Sequence, residues 1–525
     1  LTVSGGNRAA RFLLSANYLY QHGMNENSTF SRGSVRANTS VDLRKNIVVY
    51  MDLFASRDRQ TEPYAWNYGT TSLIGWAYKA PPNIAAKYPD NHDRPGYTYY
   101  GNYGESWNPV ANLEKGGLTE KLRDEVLINL RPKWELIPGL SLKGQFSYRV
   151  SSGADKKDRD GYIFFDYFTN QKTGRDFEVV KIAGPSDRSS YYYVGSNLDY
   201  DKTFNNHRVN IIAGYSKELT NADAWTEKGL ISYFGKLYYS YADKYLVEAG
   251  IRRDGSSLFA PGKKWGNFPS LALGWNVHNE SFLKNVHFLD QFKLRASYGK
   301  LGNNNIDPYQ YQSTINTSNG SETSFANPNI TWETIGITDI GTDLSFFKNK
   351  LDITFDWYNK KTTNLILKPA PTLTSAIGST AINIGEMKND GWEVKAGYNG
   401  KLSPSFSFSF NAGYSYNKST LLKISPNPLV EGSIIRQEGY AFGEYYGYKT
   451  QGLLQVGDVE KGVPIYKGQK AGDIHYIDQN NDGVIDDKDR VMLGATDPYG
   501  TYFANVSLRF RNCDFQTLVT GTGKV

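Results

Sequence analysis

The sequence predicts an all-β fold, a transmembrane antiparallel β-barrel, and three observations carry that expectation. Apolar and polar residues alternate with period two over long rows. Short polar turns join those rows in pairs, and long aromatic-rich connections separate the pairs. No stretch comes near the ~18 consecutive apolar residues that a membrane-crossing helix needs.

The rows run along the whole chain, beginning with Phe12–Tyr20. In the next, Leu142, Gly144, Phe146, Tyr148 and Val150 share one face, and Lys143, Gln145, Ser147 and Arg149 the other. Leu271–Val277, Phe292–Tyr298 and Trp392–Tyr398 repeat the pattern. The longest sets Phe406, Phe408, Phe410, Ala412, Tyr414 and Tyr416 against Ser405, Ser407, Ser409, Asn411 and Ser415. Successive strand side chains point to opposite faces, so each row is a strand with one apolar and one wet face. Rows with four to six apolar residues on one face imply strands longer than the usual ~5–6 residues. A soluble sandwich or propeller also alternates, but the ~40–50-residue repeat of a propeller is not seen.

Three hairpins are explicit. Lys348–Lys350 joins Leu344–Phe347 to Leu351–Trp357. Arg511–Asp514 joins Ser507–Phe510 to the segment from Phe515, and Ala242–Lys244 joins Leu237–Tyr241 to Tyr245–Ile251. The stretches Gln60–Gly117, Asp254–Asn267, Asn303–Thr331 and Lys368–Asp390 read as long loops. Short turns at one end and long loops at the other are the habit of outer-membrane barrels. No helix of convincing length and period is expected. No linker-like run divides the chain, so residues 1–525 read as one continuous barrel portion.

Composition agrees. Aromatic residues make 14% of the chain, with 39 Tyr, 26 Phe and 10 Trp. Tyr and Trp gather where hydrocarbon meets headgroups. Mean hydropathy is negative, as it must be where only every second strand residue faces lipid. A net charge of +6 gives no support to nucleic-acid binding. Cys513 is the single cysteine, so no internal disulfide framework exists.

Particular segments then become familiar. They begin with Val3–Asn7, Gly23, Ser31–Arg32 and Arg36–Asn38, and continue through Tyr241–Ser257 (YADKYLVEAGIRRDGSS), Phe268–Trp275 (FPSLALGW) and Leu294–Asn303 (LRASYGKLGN). Asn327–Glu333 (NPNITWE), Phe355–Asn359 (FDWYN), Asn383–Glu393 (NIGEMKNDGWE), Gly472–Asp473 and Asp478–Asp486 (DQNNDGVID) follow in order. Together they resemble the barrel of the SusC/RagA family of TonB-dependent outer-membrane transporters. The resemblance implies a barrel of about 22 strands when complete, of which this chain covers most. It also implies a signal peptide, TonB box and plug domain before residue 1, and final strands after Val525, all outside this sequence. It implies import of large nutrients, oligosaccharides or peptides, across the outer membrane of a Gram-negative, Bacteroidetes-like bacterium. The implied partners are TonB–ExbB–ExbD, acting through the plug, and a SusD-like surface lipoprotein that closes over the barrel mouth. Within the same fold, a siderophore or cobalamin receptor and a non-transporting adhesin barrel are the alternative readings.

Two groups of residues are candidates for a site. Asp478, Asn480, Asp482, Gly483, Val484, Asp486 and Asp489 match calcium-loop positions 1, 3, 5, 6, 7, 9 and 12, with Asp in place of the usual Glu at the last. Hard oxygen donors around a tight Gly turn suit a structural calcium; the other reading is a solvated acidic turn. No other cofactor is expected. The aromatic loop residues Trp66, Tyr68, Trp76, Tyr78, Tyr99, Tyr100 and Trp107, with Tyr64, Tyr97 and Tyr103, could stack on sugar rings or peptide side chains. Equally, they could pack the loops or line the membrane interface. The six His residues, His22, His92, His207, His278, His287 and His475, lack zinc spacing. No phosphate loop, nucleophile elbow or His-Glu-x-x-His pattern appears, so no enzymatic activity is expected.

Overall fold

The computed structural model describes all residues except 65–68, 91–92, 104–107, 175, 222–226, 316–317, 319, 369–379, 426, 459 and 524–525. The chain divides into two compact units, Leu1–Leu198 with Ser216–Gly229, and Asp199–Tyr215 with Leu230–Val525.

The first unit is built on an antiparallel meander. Its strands β1 (Thr2–Gly6), β2 (Ala10–His22), β3 (Thr29–Arg44), β4 (Ile47–Pro63), β5 (Leu118–Ile137) and β6 (Leu140–Arg159) each pair with the next. Strands β7 (Val180–Phe204) and β8 (His207–Asn221) have residues in both units. Register explains the alternation. Thr39, Met51, Leu130 and Phe146 lie in one cross-strand row; Ala37, Leu53, Ile128 and Tyr148 form the next, and Val35, Ala55, Val126 and Val150 the one after. Large side chains on this face are exposed, Phe146 by 42%. The opposite face holds ion pairs, Arg32–Asp58 at 2.5 Å, Arg131–Asp52 at 2.7 Å and Arg123–Asp155 at 2.8 Å, and the buried hydroxyls of Ser141 and Ser147. A sheet that exposes its apolar face and turns its charges to the other is inside out for water and correct for lipid.

The height of the apolar face can be read on β4. Apolar residues run from Ile47 to Ala55 on that face; the next residue facing the same way, Arg57, is paired with Asp124 at 2.7 Å. Eight rises of ~3.3 Å span ~26 Å, or ~20 Å after a tilt of ~40°, close to the ~25 Å apolar band of an outer-membrane barrel.

The second unit has the same construction, with β9 (Glu227–Tyr241) from Leu230 onward, β10 (Tyr245–Ser256), β11 (Trp265–Asn276), β12 (Leu289–Asn303), β13 (Glu333–Phe346), β14 (Leu351–Leu367), β15 (Ile382–Ser403), β16 (Phe406–Lys423), β17 (Gly500–Phe510) and β18 (Cys513–Thr522). Consecutive strands pair antiparallel. Aromatic residues edge its apolar face at both ends. On the turn side Tyr245 stacks on Trp275 at 6.4 Å. On the loop side Trp265 stacks on Tyr233 at 6.0 Å and takes Arg253 over its ring at 5.1 Å. Amphipathic rings settle where hydrocarbon ends.

On the polar face Arg295 gathers Asp343 and Asp356, both at 2.9 Å, and Asp339 at 3.9 Å. Gly341 sits between them because a Cβ there would lie 2.2 Å from Asp356 Oδ1. At the turn end Glu280 accepts from Lys244 Nζ (2.8 Å), Tyr245 OH (2.7 Å) and Trp275 Nε1 (3.1 Å). The Lys244 ammonium, with these two donors, holds the Glu280 carboxyl down at about 2.

The Lys348–Lys350 and Ala242–Lys244 turns fall where the sequence places them, the third turn is shorter than expected because Cys513 and Asp514 already pair with Phe510 and Arg509, and the row residues lie on shared faces. Three further details differ. Two helices, α1 (Gly69–Lys79) and α2 (Pro109–Lys115), occupy the first long loop. The segment expected to be loop through Asp390 turns to strand at Ile382, the residues 369–379 before it lying outside the described ones. Residues 424–499 form an insert between β16 and β17, carrying a small sheet of Leu429–Glu431, Ile434–Arg436, Glu444–Tyr448 and Arg490–Ala495. Strands of three to six residues are too short for their alternation to show.

Candidate functional site: the loop-end aromatic assembly

At the loop ends of the first unit, two segments are welded by their aromatic residues. The residues after β6 fold into a hairpin with bridges Tyr162–Phe177 and Phe165–Lys172. It packs on the segment around the Lys87–Tyr100 bridge. Tyr97 stacks on Tyr162 at 5.3 Å and Tyr88 on Tyr167 at 4.7 Å. Tyr97 OH donates to Ile163 O at 2.6 Å, Tyr162 OH donates to Thr98 O, and Arg94 lies 3.5 Å over the Phe165 ring. The weld extends to α2, which starts at Asn108, whose Oδ1 accepts from Val110 N and Ala111 N, with Pro109 at the first helical position. Both are ordinary helix-start chemistry. From α2, Glu114 accepts from Tyr100 OH (2.6 Å) and Lys87 Nζ (3.0 Å).

These contacts shift the titrating groups outside the membrane span. Burial pushes the phenols of Tyr100 and Tyr162 well above their usual range. The Tyr100 hydroxyl, aided by Lys87, holds Glu114 below the usual carboxylate range. At neutral pH the phenols therefore stay neutral donors and Glu114 stays charged. Beside them a cleft of about 520 Å³ is lined by Glu114, Lys115, Glu120, Lys156, Asp158 and Tyr162, among others. Its mixed charges and one aromatic wall suit a polar ligand.

The nominated aromatic residues divide. Trp66, Tyr68 and Trp107 lie outside the described residues. Trp76 is half-buried on α1 and Tyr78 is 88% exposed. Tyr99 and Tyr100 are buried; in this arrangement they join loop to loop and offer no free ring face, because their hydroxyls and edges are already engaged. The sequence reading missed Tyr88, Tyr162, Tyr167 and Phe168, although the dense run Tyr162–Phe168 (YIFFDYF) was a visible signal.

In the second unit, the 478–489 loop folds on its own hydrogen bonds. Asp478 accepts from Asn481 N (2.7 Å) and Gly483 N (2.8 Å), and Asp482 from Val484 N (3.0 Å). The side chain of Asn480 accepts from Asp482 N, and Asp486 from Lys488 N. Buried Asp489 accepts from Asp486 N and Gln479 N, both at 2.8 Å. Those amides, led by Asp486 N–H, hold its carboxyl below the usual range. Gly483 takes φ +83°, the left-handed turn expected of it. Among the described residues no three acidic or imidazole groups converge to hold a metal ion. As the loop stands, its oxygens face backbone N–H groups.

Loops of the second unit are joined by a mini-core of their own. Leu258, Phe259, Phe268, Ile306, Ile330 and Trp332 pack together, and Trp332 Nε1 donates to Lys264 O at 2.9 Å.

An inside-out antiparallel wall with short turns at one end and welded loops at the other defines a membrane-spanning barrel protein. The chain belongs to the family described as "TonB dependent receptor-like, beta-barrel", whose model matches residues 7–520. That family resides in the outer membrane of Gram-negative bacteria. TonB-dependent receptor P3 of Formosa agariphila is 28% identical over 99% of this chain and 57% of its own length. TonB-dependent receptor SusC of Bacteroides thetaiotaomicron is 30% identical over 55% of this chain and 31% of its own. The chain thus spans about half the length of P3. In fold it matches the structure of the RagAB peptide transporter with a TM-score of 0.77, at 17% identity, over 99% of this chain and 60% of that one.

Proposed function

We propose that the chain is the barrel wall of an importer of large nutrients, oligosaccharides or peptides, which works with a SusD-like surface lipoprotein and is driven by TonB–ExbB–ExbD. The observation that carries this is the likeness to SusC and to the RagAB transporter over a wall with a charged inner face. Arg32–Asp58 and Arg123–Asp155 in the first unit, and the Arg295 cluster in the second, give each unit a charged face suited to polar solutes. The welded loops would form a firm rim for a lid and a substrate.

The test is gentle purification of the full-length protein from native outer membranes, with mass spectrometry of everything that accompanies it. A stoichiometric lipoprotein with bound oligosaccharide or peptide supports the lidded importer. A bound metal chelate without a lipoprotein supports a siderophore receptor. Neither partner nor ligand supports the adhesin barrel.

Calcium at the 478–489 loop is a second part of the proposal. Binding would require Asp478, Asn480 and Asp482 to turn from backbone amides to the ion, so the affinity would be modest. Thermal unfolding of the insert with millimolar calcium against EGTA tests it. An unchanged midpoint would leave the loop a purely hydrogen-bonded turn.

A further inference from the structure

Arg159 closes β6 with only 4% of its surface exposed, and it forms part of the wall of the cleft of about 520 Å³. Its guanidinium lies over the rings of Tyr64 (5.2 Å) and Phe177 (5.4 Å), and its Nε donates to Glu178 O at 2.7 Å. Its buried Nη1 has no hydrogen-bond partner. Among the described residues no carboxylate is paired with it; that of Glu178, on an exposed side chain, acts only at a distance.

The four carboxylates along the cleft have cations of their own. Glu114 pairs with Lys87 (3.0 Å), Glu120 with Arg59 (2.8 Å), Asp158 with Lys156 (3.2 Å) and Lys181, and Asp160 with Lys181 (2.9 Å). Two cations on the wall are left without an acidic partner among the described residues: Arg159, and Lys115, whose Nζ sits 5.5 Å over the Tyr162 ring. Gly117 brings the Lys115 segment against Arg159; a Cβ on it would lie 2.5 Å from Arg159 Cβ.

A buried charge is costly unless it is paired and hydrogen-bonded. Ring faces attract a cation but offer no lone pair to its N–H groups. With Nε committed to Glu178 O, the Nη1–Nη2 edge of Arg159 remains, and such an edge matches the two oxygens of a carboxylate.

We propose that this cleft is a subsite for a carboxylate carried by the solute, held by Arg159 and Lys115. The inference deepens the importer reading above and rests on it for the class of solute: peptides with a free carboxylate, or oligosaccharides containing uronic acid.

The experiment is isothermal titration of the full-length transporter in detergent with two pairs of probes. One pair is an N-acetylated oligopeptide of uncharged side chains and its C-terminal amide; the other is an oligouronate and its carboxyl-reduced counterpart. In the pair that matches the solute, the carboxylate form should bind at least about 10-fold more tightly, since a charge-assisted contact corresponds to roughly 10- to 100-fold. Arg159→Met should abolish that preference and Lys115→Gln should reduce it, each leaving the neutral form's affinity unchanged. Lys115→Gln keeps Arg159 between its rings, so it decides the matter where Arg159→Met disturbs the loops. Equal affinity of charged and neutral forms in both pairs overturns the carboxylate subsite and leaves the importer standing. A preference untouched by both substitutions overturns its assignment to Arg159 and Lys115. Binding by none of the four overturns the subsite together with import of these solutes.

Discussion

Replacing Gly341 with alanine tests whether the polar face is held by the Arg295 cluster. An added Cβ would sit 2.2 Å from Asp356 Oδ1 and 2.9 Å from the Arg295 guanidinium. Real Cβ contacts do not approach so closely, so the Asp356 carboxylate has to move by an ångström or more. That breaks its 2.9 Å contact with Arg295, while the bond from Arg295 to Asp343, also 2.9 Å, can survive. The contact is an ion pair without hydrogen-bond geometry. The two side chains are 29% and 24% exposed, so solvent screening keeps the cost of its loss to about 1 kcal/mol. The assay is equilibrium urea unfolding of the refolded barrel in detergent or lipid, run as a cycle with Asp356→Ala. With the carboxylate gone, the 2.2 Å collision disappears and only the end of the flexible Arg295 side chain, at 2.9 Å, has to give way, so Gly341→Ala should cost clearly less than in the wild type. If Gly341→Ala costs the same in both backgrounds, the collision is not the cause and the cluster does not depend on the glycine.

Other outcomes follow from the same reasoning. Phe259→Ala empties the centre of the loop mini-core, where Phe259 is fully buried, at a cost of about 3–5 kcal/mol; hydrogen exchange should rise in residues 257–264 and 304–332 and stay unchanged in the strands. Glu280, held at about 2, gains protection that is fully present above the unfolded value of ~4.3 and is lost as pH falls through about 2. Amide exchange in residues 277–283, corrected for intrinsic rate, should therefore be flat from neutral pH to about pH 4.5 and rise from there towards about pH 2, and Glu280→Gln should remove both the protection and its pH dependence. Asp489→Ala leaves the amides of Gln479 and Asp486 without acceptors, so proteolytic nicking within 478–489 should speed up while the barrel stays intact.

The sequence by itself determined the wall. Phe406 to Tyr416 alternates with serines and asparagines so regularly that only a strand with one apolar side accommodates it, and a one-residue slip would put every ring on the wrong face. The Lys348–Lys350 and Ala242–Lys244 turns were legible for the same reason: they interrupt that alternation and then let it resume. The Asp478–Asp489 turn was legible because its spacing is local. What lies between strands was decided only in three dimensions. Asn108-Pro109 announces a helix start, yet α2 is seven residues long and leaves no periodicity to detect. Whether a loop tyrosine is buried, like Tyr99, or displayed, like Tyr78, depends on which distant segment packs on it, and residues 160–179 supply that cover for Tyr97, Tyr99 and Tyr100. The need for Gly341 likewise comes from two other strands, through Arg295 and Asp356. Alternation is written in neighbouring residues, whereas burial and collision are set by residues far along the chain. The first can be read in the sequence; the second exists only once the chain has folded.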